Sequence, residues 1–528
     1  MSEAGLTVRR IILTVLTVLA AVLVGVSLID SWNQPQIQGR LELYQTNLLL
    51  EAAEYQGENS EVLSVRSLLG GDPLGAALTQ YEAARKRVAE NLQRLETRLE
   101  TLAFQTDGAV QLQGAIDQLW SWQDELILKT GILQAETGKL EVALVTWEEL
   151  QTPREPIVRD LLDNTRVETP GEPIVSDTLL PNTTLETAKV LSRLWDEGQV
   201  MPVAEELVWQ NLDGWFRDRA LAKIYQIQNR QESLAELAAE QQQAATKAIG
   251  SLAIIIGIPG FGMIIGSGML IFILVQRLIK PQDAILNLQT PTTSTQTPWD
   301  WETVWQVLIL GFFFVGQVAV PLVFQLLPLP RPEAGSNIRA AYILISYLLL
   351  AFGGLSVMYL SIKPFFPLPE GWFPIKLQLK TLWWGLGGYL TALPLVVVVS
   401  LFNQQLWQGR GGSNPILPIA LEDRNSLALG VFFFTASVAA PIFEEIMFRG
   451  FLLSSLTRYL SPWGAILLSS LLFAVAHLQL SELLPLATLG MVLGFVYVRS
   501  GNLLAPMLLH CLWNSGTLVS LFVLGSTI

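Results

Sequence analysis

Nineteen consecutive residues, Ile11 to Ile29, pass without one charged side chain, and apolar runs of similar length recur through the second half of the chain. A run of that length crosses the roughly 30 Å hydrocarbon core of a bilayer as a helix. Counting them predicts an all-α, polytopic membrane protein of about nine spans. The clear ones lie at 11–29, 248–275, 303–327, 340–362, 379–402, 425–448 and 463–478, with weaker ones at 483–498 and 503–524. The 51% hydrophobic and 15% charged composition agrees with that class.

The charges are concentrated in one place. Residues 32–247 hold 34 acidic and 19 basic side chains, a balance of −15, whereas the remainder holds 12 and 14, a balance of +2. One acidic, polar insert therefore separates the first two spans. Its strong helix formers and helical apolar spacing, as at 78–92, predict a soluble all-helical domain. Two stretches, Gly138–Leu150 and Gly198–Leu212, each run from Gly through a small residue five or six on to Trp and Leu, similar to a tetratricopeptide (TPR) helix. A TPR-like repeat and an irregular helical bundle are both open for this insert. The implied organisation is an anchor at 1–31, the insert at 32–247, a second span at 248–280, a Thr/Pro-rich linker at 281–302, accessory spans at 303–424 and a catalytic membrane domain at 425–528. A further Pro-rich linker is expected at 152–183.

Arg9 and Arg10 precede the first run, and Arg277 and Lys280 follow the second. By the positive-inside rule both ends are cytoplasmic, which places the insert outside the cytoplasm. No small-residue cleavage site follows the first run, so it reads as an uncleaved anchor. Neither part carries a basic stripe, which disfavours nucleic acid as a partner. The single cysteine, Cys511, supplies neither a disulfide framework nor a CxxC metal signal and reads as a small apolar filler.

Histidine occurs twice, at His477 and His510, both in the last apolar fifth of the chain and both after the pair Glu444-Glu445. Ionisable residues inside a membrane are costly and are functional candidates by default. Glu445 and Arg449 stand four apart with the acid first, the favourable order for a same-face ion pair. Glu444 lies about 100° further around the helix and has no local partner. Pro441 cannot donate a helix hydrogen bond and should loosen the turn before it. Phe473 lies one turn before His477, and Asn514 one turn after His510. A histidine and an amide on one face suit a developing oxyanion, and His510 would equally suit a metal.

In that order on successive spans, Glu-Glu-x-x-x-Arg at 444–449, Phe-x-x-x-His at 473–477 and His-x-x-x-Asn at 510–514 resemble the CPBP intramembrane proteases. That family includes the type II CAAX prenyl endopeptidases and the Abi, or bacteriocin-immunity, proteins. The resemblance covers roughly 427–523 and implies a hydrolase cleaving peptide bonds of membrane-associated substrates. It implies Glu444 as the base that activates water, His477 sharing that water, and His510 with Asn514 stabilising the oxyanion. Glu445, Arg449 and Phe473 would support them. An alternative within the family makes Glu444, His477 and His510 ligands of Zn²⁺. No HExxH motif is present, and spacing alone leaves metal and glutamate-only catalysis both open.

The expected setting is a bacterial inner, or thylakoid-like, membrane, with a protein partner for the helical insert. Two other classes compete with an enzyme. A non-enzymatic scaffold or receptor on a protease-like core would not need the motif residues. A transporter would show an inverted repeat or charged residues in the interiors of the spans at 303–327, 340–362 and 379–402; no obvious repeat is seen and those interiors are uncharged.

Overall fold

The computed structural model describes residues 7–32, 34, 36, 38–57, 71–102, 106–151, 183–288, 297–327, 335–407, 409–414, 416–422 and 425–526. The linker expected at 152–183 lies outside these but for Thr183, and so do residues 289–296 of the second linker. All regular elements among the described residues are helical, and no strand occurs. The chain divides into two compact units, one of residues 38–253 and one of 1–37 with 254–526.

After α1 (Val8–Trp32), the unit at 38–253 contains α2 (Gln38–Ala53), α3 (Pro73–Leu102), α4 (Thr106–Glu136), α5 (Leu140–Glu148), α6 (Thr183–Asp196), α7 (Ala204–Asn211), α8 (Gly214–Ile227) and α9 (Gln231–Leu252). One apolar core joins them through Tyr81, Trp147, Leu191 and Phe216. Both predicted glycine-led units form a helix-turn-helix. Gly138 and Gly198 take positive φ of 80° and 63°, a left-handed conformation that ends the preceding helix and is open to glycine at little cost. The small residues of the two units, Ala143 and Ala204, are both buried. Their tryptophans differ, because Trp147 is buried whereas Trp209 is 52% exposed beneath the Arg217 guanidinium. The helical insert is thus present, and its two units are not equivalent as a strict repeat would require.

The other unit contains α10 (Ile258–Ile279), α11 (Trp301–Leu326), α12 (Ser336–Ile362), α13 (Leu379–Trp407), α14 (Ile416–Glu422), α15 (Ser426–Leu456), α16 (Pro462–Val475), α17 (Leu483–Ser500) and α18 (Leu504–Gly525). Eight helices among the described residues are long and apolar enough to cross a membrane, fewer than the nine expected. The difference is α16. Its 14 residues rise only about 21 Å at 1.5 Å per residue, short of a ~30 Å core. The chain nevertheless passes from one face of this unit to the other there. On the first face, Arg10 pairs with Glu302, Trp299 donates to Ser455 at 2.9 Å, and Arg458 bonds the Trp299 carbonyl. On the second, at the far end of α1, Trp32 packs on Trp407, the Leu480 amide donates to Ser31, and the Ser481 amide to the Gly411 carbonyl. The turn at 476–479 completes the crossing that the helix leaves unfinished.

The first face carries most of the cations of this unit. Arg10 lies there with Lys376, Lys380 and Arg499, because Asn502 at the end of α17 bonds both Thr381 and the Lys376 backbone. The second face has Arg410, whose carbonyl accepts from Gln36, and Arg339 in the first turn of α12. Arg331 and Arg424 fall outside the described residues.

Candidate functional site

Helix α15 is not uniform. Thr435–Ala439 and Ile446–Leu453 have the wider π-helical spacing, and between them Ala440–Glu445 is α-helical. Pro441 sits in the first turn of that central segment and supplies no N–H, so the turn before it loosens as the sequence predicts. Widened turns free backbone carbonyls and re-aim side chains, a feature concentrated at functional sites. Here they bracket Glu444 and Glu445.

Glu445 and Arg449 form the predicted pair at 2.9 Å, with side chains 0% and 1% exposed. Arg449 also donates to the Gly490 carbonyl at 3.2 Å and lies over the Phe473 ring at 4.5 Å. Gly490 also lets α17 lie close against α16, since a Cβ there would stand 2.9 Å from Ser470 of α16. Glu445 Oε2 and Arg449 Nε remain buried without hydrogen-bond partners.

Glu445 has a second partner that spacing does not reveal. His510 Nδ1 lies 2.9 Å from the same Oε1 that Arg449 holds. A carboxylate only accepts, so Nδ1 carries a proton, and in the neutral tautomer so fixed Nε2 presents its lone pair on the other side. That Nε2 faces Glu444 Oε2 at 3.9 Å. Glu444 Oε1 in turn accepts from the Tyr347 hydroxyl of α12 at 3.0 Å. The carboxylate expected to lack a partner on its own helix is thus oriented by another. A continuous order results: Arg449, Glu445, His510, an interval, Glu444, Tyr347. Tyr347 was missed from sequence. Its one signal is a phenol twelve residues into α12, away from the span ends that tyrosine favours.

His477 stands in the turn just past the end of α16, rather than on a spanning helix as expected. Its Nδ1 lies 2.9 Å from the Phe473 carbonyl, so this nitrogen donates and Nε2 is free to accept. The Phe473 ring separates the two histidines, with centroids 4.9 Å from His477 and 5.8 Å from His510. Asn514 shares a face of α18 with His510 and donates at 2.7 Å to the Ala436 carbonyl in the first widened turn of α15. That bond uses one amide hydrogen and leaves the other. Cys511 is half-buried and free.

Among the described residues no group of three or more His, Cys, Asp or Glu side chains stands close enough to hold a metal ion.

Comparison with known proteins bears on the same segment. Residues 426–516 match the description "Type II CAAX prenyl endopeptidase Rce1-like". The chain is similar to an uncharacterised 24.3 kDa protein of Escherichia coli, 43% identical over 81 residues, which are 14% of this chain and 37% of that one. It is similar to YdiL of Bacillus subtilis, named as a candidate membrane peptidase, 30% identical over 88 residues, 17% of this chain and 36% of that one. It is also similar to the membrane-embedded CAAX protease MroQ of Staphylococcus aureus, 23% identical over 227 residues, 40% of this chain and 86% of that one. The chain spans little more than a third of the first two relatives. No solved structure matches it. The resemblance to the CPBP membrane proteases thus holds for the C-terminal segment of a multi-pass helical membrane protein.

Proposed function

We propose, from the premise that residues 426–516 are a CPBP-type protease segment, that the chain is an intramembrane endopeptidase acting on membrane-associated peptides through a carboxylate-activated water. The observation that carries this reading is the 3.9 Å interval between Glu444 Oε2 and His510 Nε2. Each facing atom is an acceptor whose opposite side is tied down. A water in that interval donates one hydrogen to each and turns its lone pairs outward.

As the water oxygen attacks the scissile carbonyl carbon, its proton passes to Glu444, and the C=O π electrons move onto oxygen. Glu444 then delivers that proton to the leaving nitrogen as the C–N bond breaks. Tyr347 holds the carboxylate in the orientation that points Oε2 at the water. Glu445 holds His510 in the tautomer with Nε2 free, as a carboxylate orients the histidine of a hydrolytic triad. The remaining amide hydrogen of Asn514 serves the oxyanion. His510 could share that role only as an imidazolium, which Glu445 would stabilise. Its neutral form favours the acceptor role.

The test is cleavage of membrane-spanning peptides by the protein reconstituted in vesicles, with products identified by mass spectrometry. Cleavage should persist after exhaustive treatment with a chelator. Loss of cleavage restored by Zn²⁺ would overturn the carboxylate mechanism in favour of the metal one.

The setting we infer is a bacterial inner, or thylakoid-like, membrane, with the face of Arg10, Lys376 and Lys380 cytoplasmic and the acidic insert on the far side, available to a protein partner. Reporter fusions at residue 150 should be active only outside the cytoplasm. Activity confined to the cytoplasm would reverse the orientation of every span.

A further inference from the structure

A cavity of about 560 Å³ opens between α10, α13 and α17 and shares no lining residue with the Glu444 site. Met269, Phe272, Trp383, Trp384 and Phe495 form its walls, and Gly387 and Gly388 deepen its floor. Its one hydroxyl and its one cation lie at opposite ends. Thr391 closes the inner end, and its hydroxyl is already spent on the Gly387 and Gly388 carbonyls at 3.0 Å. Lys380 stands at the outer end, exposed, where α13 begins on the cation-bearing face. Between these residues α13 rises about 16 Å at 1.5 Å per residue, close to half of a ~30 Å hydrocarbon core. The interior thus offers an apolar slot one leaflet long, with the indole N–H groups of Trp383 and Trp384 as its other polar groups, which suits a hydrocarbon chain better than a polar one.

The mouth has the opposite character. Arg499 lies over Trp384, a wall residue, with its ring centroid 6.0 Å from the guanidinium carbon, and its Nε is buried without a hydrogen-bond partner. Neither Lys380 nor Arg499 enters an ion pair among the described residues. Two uncompensated cations at interface depth above an apolar slot are complementary to a negative headgroup carrying an acyl tail. We propose that this groove is a binding site for one anionic phospholipid, its phosphate held by Lys380 and Arg499 and one acyl chain lying along Gly387 and Gly388.

The full-length protein is exchanged into nanodiscs containing equal phosphatidylglycerol and phosphatidylcholine of identical chains, and the lipid retained is counted by native mass spectrometry. The wild type should keep one phosphatidylglycerol, preferred at least tenfold. Lys380→Gln with Arg499→Gln should abolish the preference while a lipid is still retained, because the slot is untouched. Gly387→Leu should reduce retention of both lipids, since a Cβ there already stands 3.2 Å from Met269. Should Gly387→Leu fail to fold, the charge variant alone decides. An unchanged preference in that variant overturns the proposal. So does displacement of the bound molecule by an isoprenoid alcohol but not by excess phosphatidylglycerol, which would give the groove to an isoprenoid chain.

Discussion

Glu444→Gln should lower turnover of a membrane peptide by roughly 10²–10⁴-fold while leaving expression and melting unchanged. The amide is isosteric and its oxygen can still accept from Tyr347, so the carboxylate's orienting bond survives with the base removed. Tyr347→Phe leaves the base and removes only the group that orients it. Loss of one hydrogen bond to a charged acceptor is worth about 1.5–3 kcal/mol. It should therefore lower kcat by roughly ten- to a hundredfold with KM little changed, because the phenol touches Glu444 rather than substrate. Steady-state cleavage kinetics beside a thermal melt separates these outcomes. Unchanged cleavage by the Glu444→Gln protein would falsify the catalytic assignment. A chain that binds a partner equally well with Glu444, His477, His510 and Asn514 all replaced would instead be a scaffold.

The largest effect on stability should come from Arg449→Ala. It strands the Glu445 carboxylate at 0% exposure with only the His510 N–H for company. Breaking one side of a buried ion pair costs about 3–5 kcal/mol, because a charge is left desolvated and uncompensated. Replacing both partners is different. With Glu445 Oε2 and Arg449 Nε already unsatisfied, the pair holds less than its full complement of hydrogen bonds. Glu445→Leu combined with Arg449→Met should therefore melt several degrees above Arg449→Ala alone. It should still be inactive, since His510 then loses the acceptor that sets its tautomer. Thermal unfolding of the three proteins in detergent is the measurement, and an Arg449→Ala protein that melts with the wild type would show that Glu445 is held by something other than this pair.

What could be read from the sequence was what the pitch of one helix controls. Glu445 meets Arg449 because they are four apart, Phe473 gives its carbonyl to His477 for the same reason, and Pro441 widens the turn before it because it has no N–H to donate. Length and apolar content located all eight long spans, and charge marked off the acidic insert. The misreadings have the same root. The run at 463–478 ends in residues that leave the helix to form a turn that meets the second face, so apolar length overstated helical length.

The tertiary structure decided everything that depends on how one helix is rotated against another. Tyr347 reaches Glu444 from 97 residues upstream, and His510 reaches Glu445 from 65 downstream. The phospholipid groove needs glycines of α13 opposite residues of α10 and α17. A rotation of one helix by a single residue, about 100°, would break each of these contacts while leaving every within-helix spacing and the hydropathy profile as they are. Packing selects among such rotations through the fit of side chains from segments far apart in the chain, and that fit has no period to leave in the sequence.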